Sequence, residues 1–154
     1  MIQNIGIVGS GQMGAGIAHV AALADRNVVL LDVNEAVLNK ALEAIERNIQ
    51  RQVSRGKLED GAAERALKRI TITTDYSDFN VADLVIEAAT ENEGIKRKIF
   101  ETLVPNLSKE ALIASNTSSI SITRLASTTD RPGKFIGMHF FNPVPIMQLV
   151  ELIR

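Results

Sequence analysis

Apolar residues occur along this chain in two alternating patterns, short dense runs and longer stretches in which they recur at helical spacing. Ile5, Ile7 and Val8 form the first dense run, which stops at Gly9 and predicts a buried strand. Met13, Ile17, Val20 and Ala21 then fall on one face of a helix, and Val28 to Leu31 predicts a second buried strand ending at Asp32. The clearest helical stretch follows, with Val37, Leu38, Ala41, Leu42, Ile45, Ile49 and Val53 in register, Asn34 placed to cap it and Gly56 to stop it. A shorter helix with Ala63, Ala66 and Leu67 leads to a strand at Ile70 to Thr73.

Leu84 to Ile86 predicts another buried strand with Glu87 at its end, and Ile95, Ile99, Phe100 and Leu103 mark a helix that Pro105 closes. Ala111 to Ala114 is a fifth strand, followed by a Ser/Thr-rich loop and a short helix with Ile122 and Leu125. Phe135 to Met138 is the sixth strand, Pro143 and Pro145 make a turn, and Met147 to Ile153 is a seventh apolar run. Alternating strands and helices predict an α/β fold, a doubly wound and mostly parallel sheet with helices on both faces. The final strand would return antiparallel after the proline turn.

Composition narrows the function. The chain has 154 residues, 17 basic against 18 acidic side chains, and no cysteine. That is one domain's worth of sequence, with enough length to bury a core. A near-zero net charge gives no field for a phosphate backbone, which argues against a nucleic-acid partner. The absence of cysteine removes disulfides, thiol nucleophiles and thiolate zinc sites. These properties point to a soluble cytoplasmic domain. Residues 2 to 24 carry no Asp, Glu, Lys or Arg, yet they are broken by Gly6, Gly9, Gly11, Gly14 and Gly16 and no positive charge precedes them. Neither a signal peptide nor a membrane span is expected of such a run.

Gly9, Gly11 and Gly14 spell G-x-G-x-x-G between a predicted strand and a predicted helix. A glycine is needed for the tight turn, for close approach of the backbone to a pyrophosphate, and for helix–strand packing. The helix N-terminus, which begins with Gln12 and Met13, then offers unpaired N–H groups to the anion. Asp32 ends the second strand 21 positions after Gly11, where a carboxylate takes the adenosine ribose 2′-hydroxyl. It would repel a 2′-phosphate, and Val33 to Ala36 supply no arginine to receive one, so the cofactor expected is NAD.

A nicotinamide cofactor needs a proton acceptor beside it. The only tyrosine, Tyr76, has Asn80 four places on, so no Tyr-x-x-x-Lys pair exists, and two histidines cannot form the usual histidine-based metal site. His19 lies within the first helix and reads as a packing or surface histidine. His139 ends the sixth strand, where ligand-binding groups gather in doubly wound folds. An unperturbed imidazole titrates near pH ~6.5, which suits a base for an alcohol proton. A hairpin folding about residue 145 would bring Glu151 opposite His139 as the orienting carboxylate. From spacing alone, Glu151 is equally an edge-strand residue facing solvent.

Three stretches in order, Gly9-Ser10-Gly11-Gln12-Met13-Gly14-Ala15-Gly16-Ile17-Ala18, Ser115-Asn116-Thr117-Ser118-Ser119 and His139-Phe140-Phe141-Asn142-Pro143-Val144-Pro145, resemble the L-3-hydroxyacyl-CoA dehydrogenase family, its bacterial 3-hydroxybutyryl-CoA branch above all. The resemblance runs over essentially the whole chain. It implies a Rossmann-type NAD domain and oxidation of (S)-3-hydroxyacyl-CoA to 3-ketoacyl-CoA. It makes His139 the general base, Glu151 its partner, Ser118 a donor to the substrate's 3-oxygen and Asn142 a holder of the substrate carbonyl. Asn116 and Ser118 belong to the family's serine-rich stretch at the cofactor. Glu91 and Lys96 match positions bordering the nicotinamide side. Their alternative is a helix-start acid and an exposed lysine. Arg51, Arg55 and Lys57 lie where the family meets CoA phosphates, Arg55 standing nearest its usual lysine. A solvated basic helix end is the alternative. The resemblance further implies a last strand and a helical substrate and dimerisation domain beyond residue 154, so that residues 1–154 read as a cofactor domain cut before its final strand, of a protein homodimeric when whole. An isolated NAD-binding module without catalysis is the competing expectation.

Overall fold

The computed structural model describes all of residues 1–154. Seven strands form one sheet: β1 (Asn4–Val8), β2 (Asn27–Leu31), β3 (Ile70–Thr73), β4 (Leu84–Glu87), β5 (Leu112–Ser115), β6 (Phe135–Phe140) and β7 (Val150–Ile153). Their spatial order is β3-β2-β1-β4-β5-β6-β7. All neighbours are parallel except β6 and β7, which are antiparallel. The helices are α1 (Gln12–Leu23), α2 (Glu35–Ser54), α3 (Ala62–Leu67), α4 (Glu93–Leu103) and α5 (Ile122–Ala126). The expected doubly wound fold is thus present, with its antiparallel last strand.

The dense apolar runs arise because the sheet is covered on both sides. Successive residues of a strand point to opposite faces. Ile7 and Leu30 enter the core shared with Ile17, Leu38, Ile45 and Ile49 of α1 and α2, while Val8 and Leu31 enter the other, with Phe79, Phe100, Leu103, Leu125 and Phe135. Phe100 and Phe135 meet edge to face, their ring centroids 5.2 Å apart. Asn34 caps α2 as expected, its Oδ1 accepting from the Val37 amide at 3.0 Å, and the chain leaves that helix through Gly56 at φ +71°.

Three segments differ from expectation. Tyr76–Val81, given no element in the sequence, forms a 3₁₀ turn that buries Phe79 completely. The fifth strand is Leu112–Ser115, one place later than predicted, because Ala111 is still tied back to Ser108 by its amide. Of the seventh apolar run only Val150–Ile153 is strand. Residues 143–149 form a loop in which the Ile146 and Met147 amides both donate to the Pro143 carbonyl. No helix is long and apolar enough to cross a membrane.

The strand order reverses beside β1, between β2 on one side and β4 on the other. The carboxyl ends of β1, β2, β4, β5 and β6 therefore open on one crevice, the ligand-binding position of a doubly wound sheet.

Candidate active site

The turn from β1 into α1 is shaped by close contacts. Gly9 has φ +99°, and a Cβ there would lie 2.7 Å from Ala89 Cα. A Cβ on Gly14 would overlap the Gly9 carbonyl oxygen. Only glycine lets α1 start this close to the strand it leaves. A Cβ on Gly11, by contrast, would meet nothing within 4 Å, so open space stands above the middle of the turn. Gly11 caps α1 without a side-chain bond, and no acidic residue occupies its first turn, which includes Gln12 and Met13. These features fit a dinucleotide pyrophosphate at the helix N-terminus.

Asp32 stands at the end of β2 beside this turn. Its Oδ2 accepts from the Ser10 amide at 2.7 Å and the Ser10 hydroxyl at 2.6 Å, and its Oδ1 accepts from the Val33 amide at 2.7 Å. Partial burial alone would raise its pKa, but the bonds from Ser10 and Val33 outweigh it and hold the carboxyl below its usual value. Asp32 is thus held as an anion beside the turn, and Ser10, given no role in the sequence, supplies two of the bonds that hold it.

On the other side of the switch point, Met13, Ala88–Glu91, Lys96 and Asn116 line a small cavity of about 160 Å³. Lys96 is not the exposed lysine allowed by the sequence, for its side chain is 2% exposed and its Nζ lies 2.6 Å from Glu87 Oε2. Glu87 also accepts from the Ser115 hydroxyl at 2.8 Å and the Ala89 amide at 2.8 Å, and so joins β4, β5 and the loop against which Gly9 packs. The sequence placed Glu87 only at a strand end; an acid closing a wholly apolar run was the available sign that it needs a buried partner.

Glu91 is not part of α4, which Asn92 caps through the Ile95 amide. It reaches across to accept from Thr117 Oγ1 at 2.7 Å and Ser119 Oγ at 3.0 Å. Burial pushes its pKa up, but these hydroxyls and the nearby Lys96 prevail, so Glu91 stays ionised. Asn116 turns its Oδ1 to the Phe140 amide at 2.8 Å, tying the β5 end to the residue after His139.

His139 and Glu151 are directly opposed residues of the β6–β7 ladder. His139 Nδ1 lies 3.3 Å from Glu151 Oε2, and the ring packs on Phe141 with centroids 4.5 Å apart. His139's side chain is 19% exposed and Glu151's 56%. Ser118 and Asn142 are exposed, and their side chains make no hydrogen bond within the chain. His19, expected to pack or lie at the surface, is buried, with Nε2 3.0 Å from Gln52 Oε1.

Arg51, Arg55 and Lys57 line one cavity of about 490 Å³ with His19, Gln52, Pro143, Pro145 and Ile146. The end of α2 thus faces the proline loop that follows His139. A larger concavity of about 660 Å³ between α2 and α3 contains none of the site residues.

The model of the family "3-hydroxyacyl-CoA dehydrogenase, NAD binding domain" matches residues 4–154. The chain belongs to that family. As such a domain it is NAD-binding, from a family of NAD-using oxidoreductases. It is 54% identical over 154 residues to a 3-hydroxybutyryl-CoA dehydrogenase of Bradyrhizobium diazoefficiens, covering 100% of this chain and 53% of that protein. It is 39% identical to the mitochondrial hydroxyacyl-coenzyme A dehydrogenase of Rattus norvegicus, covering 100% of this chain and 51% of that protein. The crystal structure of (S)-3-hydroxybutyryl-CoA dehydrogenase from Ralstonia eutropha is similar at TM-score 0.96 and 47% identity, over 99% of this chain and 54% of that one. The NAD-binding domain therefore spans about half the length of the curated relatives it matches.

Proposed function

We propose that the protein carrying this domain oxidises short-chain (S)-3-hydroxyacyl-CoA, such as 3-hydroxybutyryl-CoA, to the 3-ketoacyl-CoA. The observation that carries this reading is the His139–Glu151 pair, directly opposed near the carboxyl end of β6, the end of the sheet at which the dinucleotide turn leaves β1. When bound, NAD supplies the hydride acceptor. Asp32 holds the adenosine ribose, and the N-terminus of α1, from Gln12 and Met13, holds the pyrophosphate. Glu91, Lys96, Asn116 and Ser118 border the nicotinamide half.

His139 Nε2 removes the proton of the substrate's 3-hydroxyl, and Glu151 stabilises the imidazolium and keeps the ring turned toward the substrate. Ser118 donates to the 3-oxygen and Asn142 to the substrate carbonyl; their exposed, unbonded side chains are free to do so. Arg55, flanked by Arg51 and Lys57, takes a CoA phosphate in the cavity at the end of α2. A helical substrate and dimerisation domain would follow residue 154 in a homodimeric, cytoplasmic protein. The greater length of the relatives supports that domain, as does the exposure of Ile146, Met147, Leu149, Val150 and Leu152 beside the site.

Two measurements on this chain test the reading together: NADH formation from (S)-3-hydroxybutyryl-CoA, and NAD binding by calorimetry. Turnover establishes the activity within the domain. NAD binding without turnover limits this chain to a cofactor module and moves the test to the full-length protein. Failure of the full-length protein to oxidise the substrate ends the proposal.

A further inference from the structure

We propose that Ser10 is a positioning residue for cofactor choice, acting on NAD only through Asp32. The inference rests on the reading of Asp32 as the ribose ligand. A carboxylate has about four lone-pair sites. Three of those on Asp32 are taken within the chain, two by the amide and hydroxyl of Ser10 on Oδ2 and one by the Val33 amide on Oδ1. One site remains, on Oδ1. The Ser10 bonds thus decide which oxygen faces the crevice and in which direction.

The local surroundings strengthen this assignment. Ser10 is only 8% exposed, so its hydroxyl is withdrawn from solvent and spent on Asp32. Its amide points at the same oxygen and is therefore not among the N–H groups offered to a pyrophosphate. A hydrogen bond to a charged acceptor is among the stronger ones in a protein. A serine between the first two glycines of the turn therefore links the turn to the specificity carboxylate 22 positions away. With the hydroxyl removed, the Asp32 side chain gains rotational freedom. It then spends less of its time presenting Oδ1 to a 2′-hydroxyl, and less of its time repelling a 2′-phosphate.

The test is a double-variant cycle read by calorimetric titration of NAD and of NADP into this chain. Ser10→Ala should weaken NAD by about five- to tenfold and lower the NAD-to-NADP affinity ratio. In an Asp32→Ala background, Ser10→Ala should change NAD affinity by less than about twofold, because the side chain it positions is gone. An equal loss in both backgrounds overturns the proposal and assigns the hydroxyl a direct contact or a role in shaping the turn. A ratio left unmoved by Ser10→Ala overturns it as well. Ser10→Gly, which removes the hydroxyl without adding bulk, repeats the cycle if the alanine variant folds poorly. If Asp32→Ala alone leaves NAD affinity and the NAD-to-NADP ratio unchanged, the ribose assignment itself fails, and the inference fails with it.

Discussion

Glu87 at the end of β4 holds the Lys96 ammonium of α4 at 2.6 Å, in a pair of side chains 0% and 2% exposed. Removing one member of such a pair leaves a charge in a place without water. Lys96→Met should therefore lower stability by about 3–5 kcal/mol, measured as a lower urea midpoint at unchanged slope. Glu87→Met combined with Lys96→Met should recover much of that loss, because no charge is then stranded. A loss below about 1 kcal/mol in the single variant would show that water or another group compensates Glu87.

The glycines of the dinucleotide turn separate folding from binding. A Cβ on Gly14 would overlap the Gly9 carbonyl oxygen, whereas one on Gly11 enters open space. Gly14→Ala should force α1 away from β1 and cost more than about 3 kcal/mol, seen in thermal unfolding. Gly11→Ala should unfold within a few degrees of the parent, yet lose most NAD affinity, because its methyl occupies the space that the pyrophosphate needs. Equal effects of the two substitutions on unfolding would contradict this division.

What was legible in the sequence followed from periodicity and from local geometry. Opposition of His139 and Glu151 could be read because an antiparallel hairpin pairs positions symmetrically about its turn, and the observed register is centred on residue 145 as expected. The position of Asp32 could be read because it depends only on where one strand ends. Burial of Lys96 could not, since its partner Glu87 sits nine positions back across a loop and the third member, Ser115, 28 positions from Glu87. Asn116 belonged to a loop by composition, but its side chain serves the backbone of another strand at Phe140. These are contacts between strand ends, and spacing along a chain carries little information about them.

On the proposed function, His139→Ala in the full-length protein should abolish most oxidation of 3-hydroxybutyryl-CoA while changing NAD affinity by less than about twofold, since the imidazole would act on the substrate and not on the cofactor. Glu151→Gln should lower kcat by about ten- to a hundredfold, less than for a fully enclosed triad carboxylate, because Glu151 is half open to water. Steady-state kinetics alongside NAD titration check both. A Glu151→Gln enzyme with unchanged kcat would remove the orienting role.

Acid should weaken the fold through His19. Burial lowers its pKa from 6.5, only partly opposed by the bond to Gln52. The unfolded chain therefore binds more protons than the folded one below the ordinary histidine value, and stability rises with pH in that window. The neutral imidazole's contribution is complete above about pH 6.5. It declines as pH falls toward the lowered native value, by on the order of 1 kcal/mol per pH unit. His19→Gln keeps an amide able to pair with Gln52 and removes the titration. Urea unfolding of both proteins from about pH 7 to about pH 5 should give a flatter pH dependence for the variant, and parallel curves would show that His19 accepts its proton in the fold without penalty.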